Sequence, residues 1–193
     1  LGCARVTVNR ALRTLAEVGL LDRRRKAGTR VALHRISKAT LSIPLIRNEI
    51  EASGRSYGYH LLSQRSKAAP SSVVQKFALA GQPNLLHVVA LHEADGKPYV
   101  LEDRWINEKI MPHPEDISFA ELSANEWLLQ NTPFTHGDID FSAKNASQRE
   151  ATLLRTEPNA ALFVISRTTW DHEKAVTMVE LVFHAGHRKR TEL

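Results

Sequence analysis

The spacing of apolar residues changes period along the chain, and each change marks an element. In residues 4–18, Val8, Leu12 and Leu15 fall at i, i+4 and i+7 with Ala11 and Val18 beside them, which predicts an amphipathic helix. Arg5, Thr7, Asn9, Arg10 and Arg13 take much of its remaining surface. Gly19 suits the C-cap. Residues 21–26 and 29–33 predict two short strands around Ala27-Gly28, where glycine supplies the positive φ of a tight turn. Residues 34–39 read as a linker, and a second pattern begins after it. A helix is expected over 43–52 with Ile43, Ile46 and Ile50 on one stripe, ended by Gly54. A strand follows at 57–67 and a short helix at 72–79. Asp95-Gly96-Lys97 between 84–94 and 98–107 is a hairpin signal. Helical pieces are expected at 115–121 and 123–130, a strand at 134–144, a helix at 147–153, and strands at 160–171 and 175–185. This order predicts an α+β fold on a mostly antiparallel sheet.

Charge divides the chain at the same place. Residues 1–35 hold nine Arg or Lys against Glu17 and Asp22, whereas the rest is close to balanced with a slight acidic excess. The front segment is therefore the electrostatic footprint for a polyanion, and the rear body has another task. The single cysteine, Cys3, rules out an internal disulfide and fits a reducing, cytoplasmic setting. The sequence has no apolar run long enough to span a bilayer, and no membrane partner is expected.

A helix that reads a major groove needs an apolar back and a polar front, and residues 4–18 supply both. Arg5 and Arg10 are fitted to base edges or phosphates, and Thr7 and Asn9 to shorter contacts, with Arg13 on the same helix. Arg23, Arg24, Arg25 and Lys26 would meet phosphates from the hairpin, with Gly28, Thr29 and Arg30 near its tip. A charge run is also what an ordinary solvated face looks like, so composition alone leaves both readings open.

The Arg-x-Thr-Val-x-Arg-Ala-Leu run at 5–12 and the later Gly-Leu-Leu-x-Arg to Gly-Thr-x-Val tail together resemble the second half of a winged helix-turn-helix of the GntR superfamily. The resemblance implies operator contact by Arg5, Thr7, Arg10 and Gly28. It also implies that residues 1–33 form an incomplete head, whose first helix and most of the second would precede residue 1. Ala4 stands where that family usually has a serine cap. An incomplete head is expected to be disordered, rearranged or completed by further residues.

Residues 40–193 resemble the UTRA effector domain of HutC-type members, a fold shared with chorismate lyase. The signals are His87, Gly96-Lys97-Pro98, Leu101 to Asn107, Pro133-Phe134-Thr135, Arg167-Thr168-Thr169-Trp170 and Phe183 to Arg188. The resemblance implies a homodimeric repressor of histidine-utilisation genes on a palindromic double-stranded DNA operator, released by a small carboxylate, urocanate. No cofactor is implied.

Alternation on the 98–107 strand puts Glu102, Arg104 and Ile106 on one face and Leu101, Asp103 and Trp105 on the other. A buried Arg needs a partner, and its planar fork matches a carboxylate. Arg104 thus either clamps a ligand or makes a structural ion pair with Glu102 or another acid. If urocanate is the ligand, Glu102, Glu180 or His87 would bond its ring nitrogens, and Phe134, Tyr99 or Trp170 would cover its face.

His136-Gly137-Asp138 and the pair His184 and His187 lack a third ligand at metal-binding spacing. The chain has no Gly-x-Ser-x-Gly elbow, so neither a metal site nor an enzyme is expected. Two other functions stand beside the repressor: a truncated module that only dimerises and binds ligand, and a sister regulator of another small anion.

Overall fold

The computed structural model describes residues 5–17, 21–24, 28–31, 45–111 and 114–189. The chain divides into two compact units, Leu1–Ile43 and Pro44–Leu193. In the first, helix α1 (Arg5–Glu17) precedes an antiparallel hairpin of β1 (Leu21–Arg24) and β2 (Gly28–Val31). Leu21 pairs with Val31 and Arg24 with Gly28, so Gly28 opens β2 and is not a turn residue as the sequence predicted, and β1 ends two residues earlier than expected. Val8, assigned by periodicity to the buried stripe, is 45% exposed. Among the described residues of this unit the helix has only a two-stranded ribbon beside it, too narrow to cover the stripe. Arg25, Lys26 and the 34–39 segment lie outside the described residues.

The second unit is built on a six-stranded antiparallel sheet. Its elements are α2 (Ile46–Ala52), β3 (Tyr57–Ala68), α3 (Ser71–Lys76), β4 (Asn84–Ala94), β5 (Lys97–Ile106), α4 (Ala124–Asn131), β6 (His136–Asn145), α5 (Gln148–Leu154), β7 (Ala161–Asp171) and β8 (Lys174–Phe183). The strand order is β3-β4-β5-β8-β7-β6. Two meanders, β3-β4-β5 and β6-β7-β8, thus meet through their last strands. The β4–β5 turn is Asp95-Gly96, both at positive φ (52° and 69°), as a two-residue hairpin of right-handed twist requires.

Both sheet faces are covered. On one, Ile46 and Ile50 of α2 pack on Val100, Val179, Leu181 and Phe183, and Ala124 and Leu128 of α4 pack on Leu86, Val88 and Ile106. On the other, α5 covers Val89, Leu101, Val164 and Val182, while α3 covers Leu85 and Trp105. Each large side chain fully buried here contributes about 1.5–3 kcal/mol.

One expected helix is absent. Residues 115–121 contain only the end of a single 3-10 turn at Pro114–Asp116, then run irregularly. Gln64 of β3 holds that run by its backbone: its Nε2 donates to the Ile117 carbonyl (2.6 Å), and its Oε1 accepts from the Phe119 N–H (3.0 Å). Phe119 is thereby driven into the core at 0% exposure. A tertiary anchor has overridden local helix preference.

Candidate functional site

The face beneath α2 and α4 carries charge where a sheet interior is normally apolar. Strand parity places Glu102 and Arg104 of β5 there, with His92 of β4, Thr177 of β8 and Arg167 of β7. Arg104 and Glu102 are each 1% exposed, His92 1% and Arg167 5%. All three nitrogens of Arg104 donate: Nε to Glu102 Oε1 (2.5 Å), one terminal nitrogen to Thr177 Oγ1 (3.2 Å), the other to Asn125 Oδ1 of α4 (3.1 Å). The same Asn125 oxygen accepts from Arg167 at 2.6 Å. His92 Nε2 donates to Glu102 Oε2 (2.9 Å), and its Nδ1 accepts from the Tyr57 hydroxyl (2.8 Å). That assignment follows from an ionised carboxylate on one side and a protonated phenol on the other.

The electrostatics are lopsided. Burial pushes the Glu102 carboxyl up, but the Arg104 charge and the His92 hydrogen bond outweigh it and hold Glu102 well below the usual carboxylate range. Burial raises the Tyr57 and Tyr59 hydroxyls, so both keep their protons. Burial first, then the like charge of Arg104, pushes Arg167 down to about 9. It remains a cation at neutral pH. Glu102 is hydrogen-bonded to Arg104 and not to Arg167, and the two guanidiniums meet at the Asn125 oxygen. Two polar atoms are left over: Arg167 Nε and the Tyr59 hydroxyl are buried without a hydrogen-bond partner. Leaving such atoms unmet costs about 1–3 kcal/mol each. Arg167 is the cation of this cluster with a nitrogen still to offer an acceptor.

The sheet separates the seven residues that the sequence grouped as effector contacts. Glu102 and Arg104 share the charged face. His87 lies on the opposite face, donating from Nε2 to Asp103 (2.9 Å) with its ring 4.3 Å from that of Trp105. Glu180 is also there, taken up by Lys144 at 2.5 Å. Trp170 packs in the α3 cluster and stacks on His136 at 5.1 Å. Tyr99 packs with α2, its hydroxyl donating to Glu49 (2.7 Å). Phe134 is half-buried between α4 and β6. Sequence reasoning missed His92, Asn125, Tyr57, Tyr59, Thr177 and Arg167. Arg167 carries the same signal as Arg104, a lone cation alternating with core positions, and sat in a motif already singled out.

A surface depression of about 450 Å³ lies at the β3 bulge, lined by Leu61, Leu62, Ser63, Gln64, Ile117 and Ser118. None of these side chains carries a charge. Among the described residues no cluster of three or more His, Cys, Asp or Glu can hold a metal ion.

In the first unit, α1 carries Arg5, Thr7, Asn9, Arg10 and Arg13, of which Thr7, Asn9 and Arg10 are exposed. Arg23 and Arg24 lie on β1, and Gly28, Thr29 and Arg30 on β2.

A UTRA domain model matches residues 52–189. Over 192 residues the chain is 32% identical to the histidine utilization repressor of Pseudomonas putida, covering all of this chain and 77% of that protein. The C-terminal domain of the histidine utilization repressor from Pseudomonas syringae superposes with a TM-score of 0.66 at 24% identity, over 72% of this chain and 99% of that one. PhnF from Mycobacterium smegmatis superposes with a TM-score of 0.67 at 22% identity, over 94% of this chain and 80% of that one. At these identities the superpositions speak for the fold.

Proposed function

The chain belongs to the UTRA domain family, as a GntR-superfamily regulator of the HutC type, and on that premise we propose that it represses histidine-utilisation genes and is released from its operator by urocanate. The similarity to a histidine utilization repressor runs through the basic first unit as well as the second, which supports an operator-binding protein over a module that only binds ligand. Operator contact falls to Arg5, Thr7, Asn9, Arg10 and Arg13 of α1 and to the basic hairpin. The repressor acts as a homodimer.

The observation that carries the effector reading is Arg167: a cation 5% exposed, sharing one Asn125 oxygen with a second guanidinium and keeping an unmet Nε. A small carboxylate would supply the missing negative charge and the missing acceptor. In this reading Arg104 does not grip the ligand. Each of its three nitrogens already donates within the protein, to Glu102, Thr177 and Asn125, and it holds Asn125 in place for Arg167. His87, Glu180 and Trp170 have no part in it, because they pack on the other side of the sheet or with α3.

Effector and operator favour different arrangements of one dimer, so each weakens binding of the other. Fluorescence anisotropy on a labelled operator decides between ligands. Urocanate should release the protein, while histidine and glucosamine 6-phosphate should leave it bound. Release by the sugar phosphate and not by urocanate would give the site to a different anion.

A further inference from the structure

The buried cluster and the first helix of the second unit form one closed circuit of side chains. Asn125 accepts from Arg104, Arg104 holds Glu102, Glu102 accepts from His92, and His92 accepts from Tyr57. The circuit then leaves the sheet. The guanidinium of Arg47, on α2, lies 4.3 Å over the Tyr57 ring, and its Nε donates to Glu126 Oε1 at 2.8 Å. Glu126 is the residue next to Asn125 in the first turn of α4, so the path returns to its start.

Arg47 is more than a surface ion-pair partner. The Glu126 side chain is 9% exposed and is also held by Ser123, whose hydroxyl donates to Oε2 at 2.7 Å. Burial raises the Glu126 carboxyl, and the Ser123 and Arg47 hydrogen bonds together bring it below its ordinary value. Ile46 and Ile50, flanking Arg47, are buried in the core. A second polar link anchors α2 away from the cluster: Glu49 accepts from Tyr99 at 2.7 Å and pairs with Lys189.

We propose that Arg47 is the positioning residue that ties the ligand cluster to α2, the first described element after the segment leading from the DNA-binding unit. Asn125 and Glu126 share one helical turn and move together. A ligand that draws on Asn125 through Arg167 therefore shifts Glu126, and Arg47 passes the shift to α2 through Glu126 and the Tyr57 ring. This rests on the reading of the Arg104–Arg167 cluster as the effector seat, but the circuit is testable without a ligand.

The experiment is hydrogen exchange of the 46–52 amides, read by mass spectrometry on the whole chain. Ligand-free, Asn125→Ala should speed exchange in α2 by about threefold or more when Arg47 is present, and add nothing in an Arg47→Ala background. Tyr99→Phe, which breaks the other anchor, should add to Asn125→Ala independently. Additivity of Asn125→Ala with Arg47→Ala overturns the proposal. Where the alanine variant does not fold, Arg47→Gln keeps the stem over Tyr57 and removes the charge. With urocanate, α2 exchange should change in the parent but not in Arg47→Ala, while calorimetric affinity stays within about threefold. An equal change in both again overturns it. If urocanate fails to bind the parent, the effector reading alone falls, and the ligand-free cycle still decides the circuit.

Discussion

Arg167 and Arg104 share one amide oxygen in a dry interior, and Glu102 is the carboxylate hydrogen-bonded to Arg104. Two consequences follow at the scale of the residue. The ligand-free protein carries a destabilising charge, because an incompletely paired buried cation costs several kcal/mol after relaxation. The same charge is what an incoming carboxylate would find attractive. Arg167→Met, of similar length and apolar, should therefore raise the melting temperature by about 2–8 °C, corresponding to about 1–2 kcal/mol. It should also abolish urocanate binding in calorimetry. A variant that melts lower and binds as before would show that Arg167 is a structural arginine. Part of this site was legible in the sequence. Glu102 and Arg104 were found because two charges alternate with Val100 and Ile106 on one strand face. His92, alternating with Val88 and Ala90, offered the same clue. Asn125 and Tyr59 offered none, since a helix-start amide and a strand tyrosine acquire their roles only once α4 and β3 dock.

At the scale of the element, α4 decides where the site's shared acceptor sits. Its start is fixed by a capping box: Ser123 accepts from the Glu126 N–H, and the Glu126 side chain reaches back to the Ser123 N–H. Asn125 sits between these two residues, so the cap that starts the helix also aims the amide. Ser123→Ala should cost about 1 kcal/mol, or about 2–4 °C in melting temperature. It should weaken urocanate binding as well, although Ser123 makes no bond to either arginine. Unchanged affinity at the lowered melting temperature would mean that Asn125 is placed by its arginines alone. The elements were read well where local chemistry sets them, as at the Asp95-Gly96 turn and the short helix expected over 147–153. They were misread at 115–121, where Gln64 dictates the backbone from a distant strand. The residues grouped as effector contacts were split between the two sheet faces for a related reason. Alternation gives the two faces of a single strand, but which face of β4 or β8 matches that of β5 depends on register. The pairings of His87 with Trp105 and of Asp103 with Glu180 put His87 and Glu180 opposite Arg104.

At the scale of the whole molecule, the open edge of β6 is the feature to explain. β6 is terminal in the sheet, runs for ten residues, and shows Ile139 and Phe141 at 38% and 64% exposure. A long open edge with exposed apolar side chains invites pairing, although Asp138, Asp140 and Lys144 on the same strand restrict the partners that fit. The sequence of the edge suits a second copy of itself. Antiparallel pairing about Phe141 sets the two phenylalanine rings together, brings Ile139 against Ala143, and places Asp138 across from Lys144 at both ends. Such an edge-to-edge dimer would join two six-stranded sheets and would have the two-fold symmetry that a palindromic operator would require. Phe141→Glu puts like charges at the centre of that pairing, where directly opposed like charges are destabilising. The variant should sediment as a monomer at micromolar concentration and lose operator affinity, while its urocanate affinity stays near that of the parent. Because Phe141 stacks only on Phe163 at the sheet margin, the fold itself should melt within a few degrees of the parent. A dimer that persists in Phe141→Glu would move the interface elsewhere. A monomer that still gripped the palindrome as tightly as the parent would detach operator binding from dimerisation altogether.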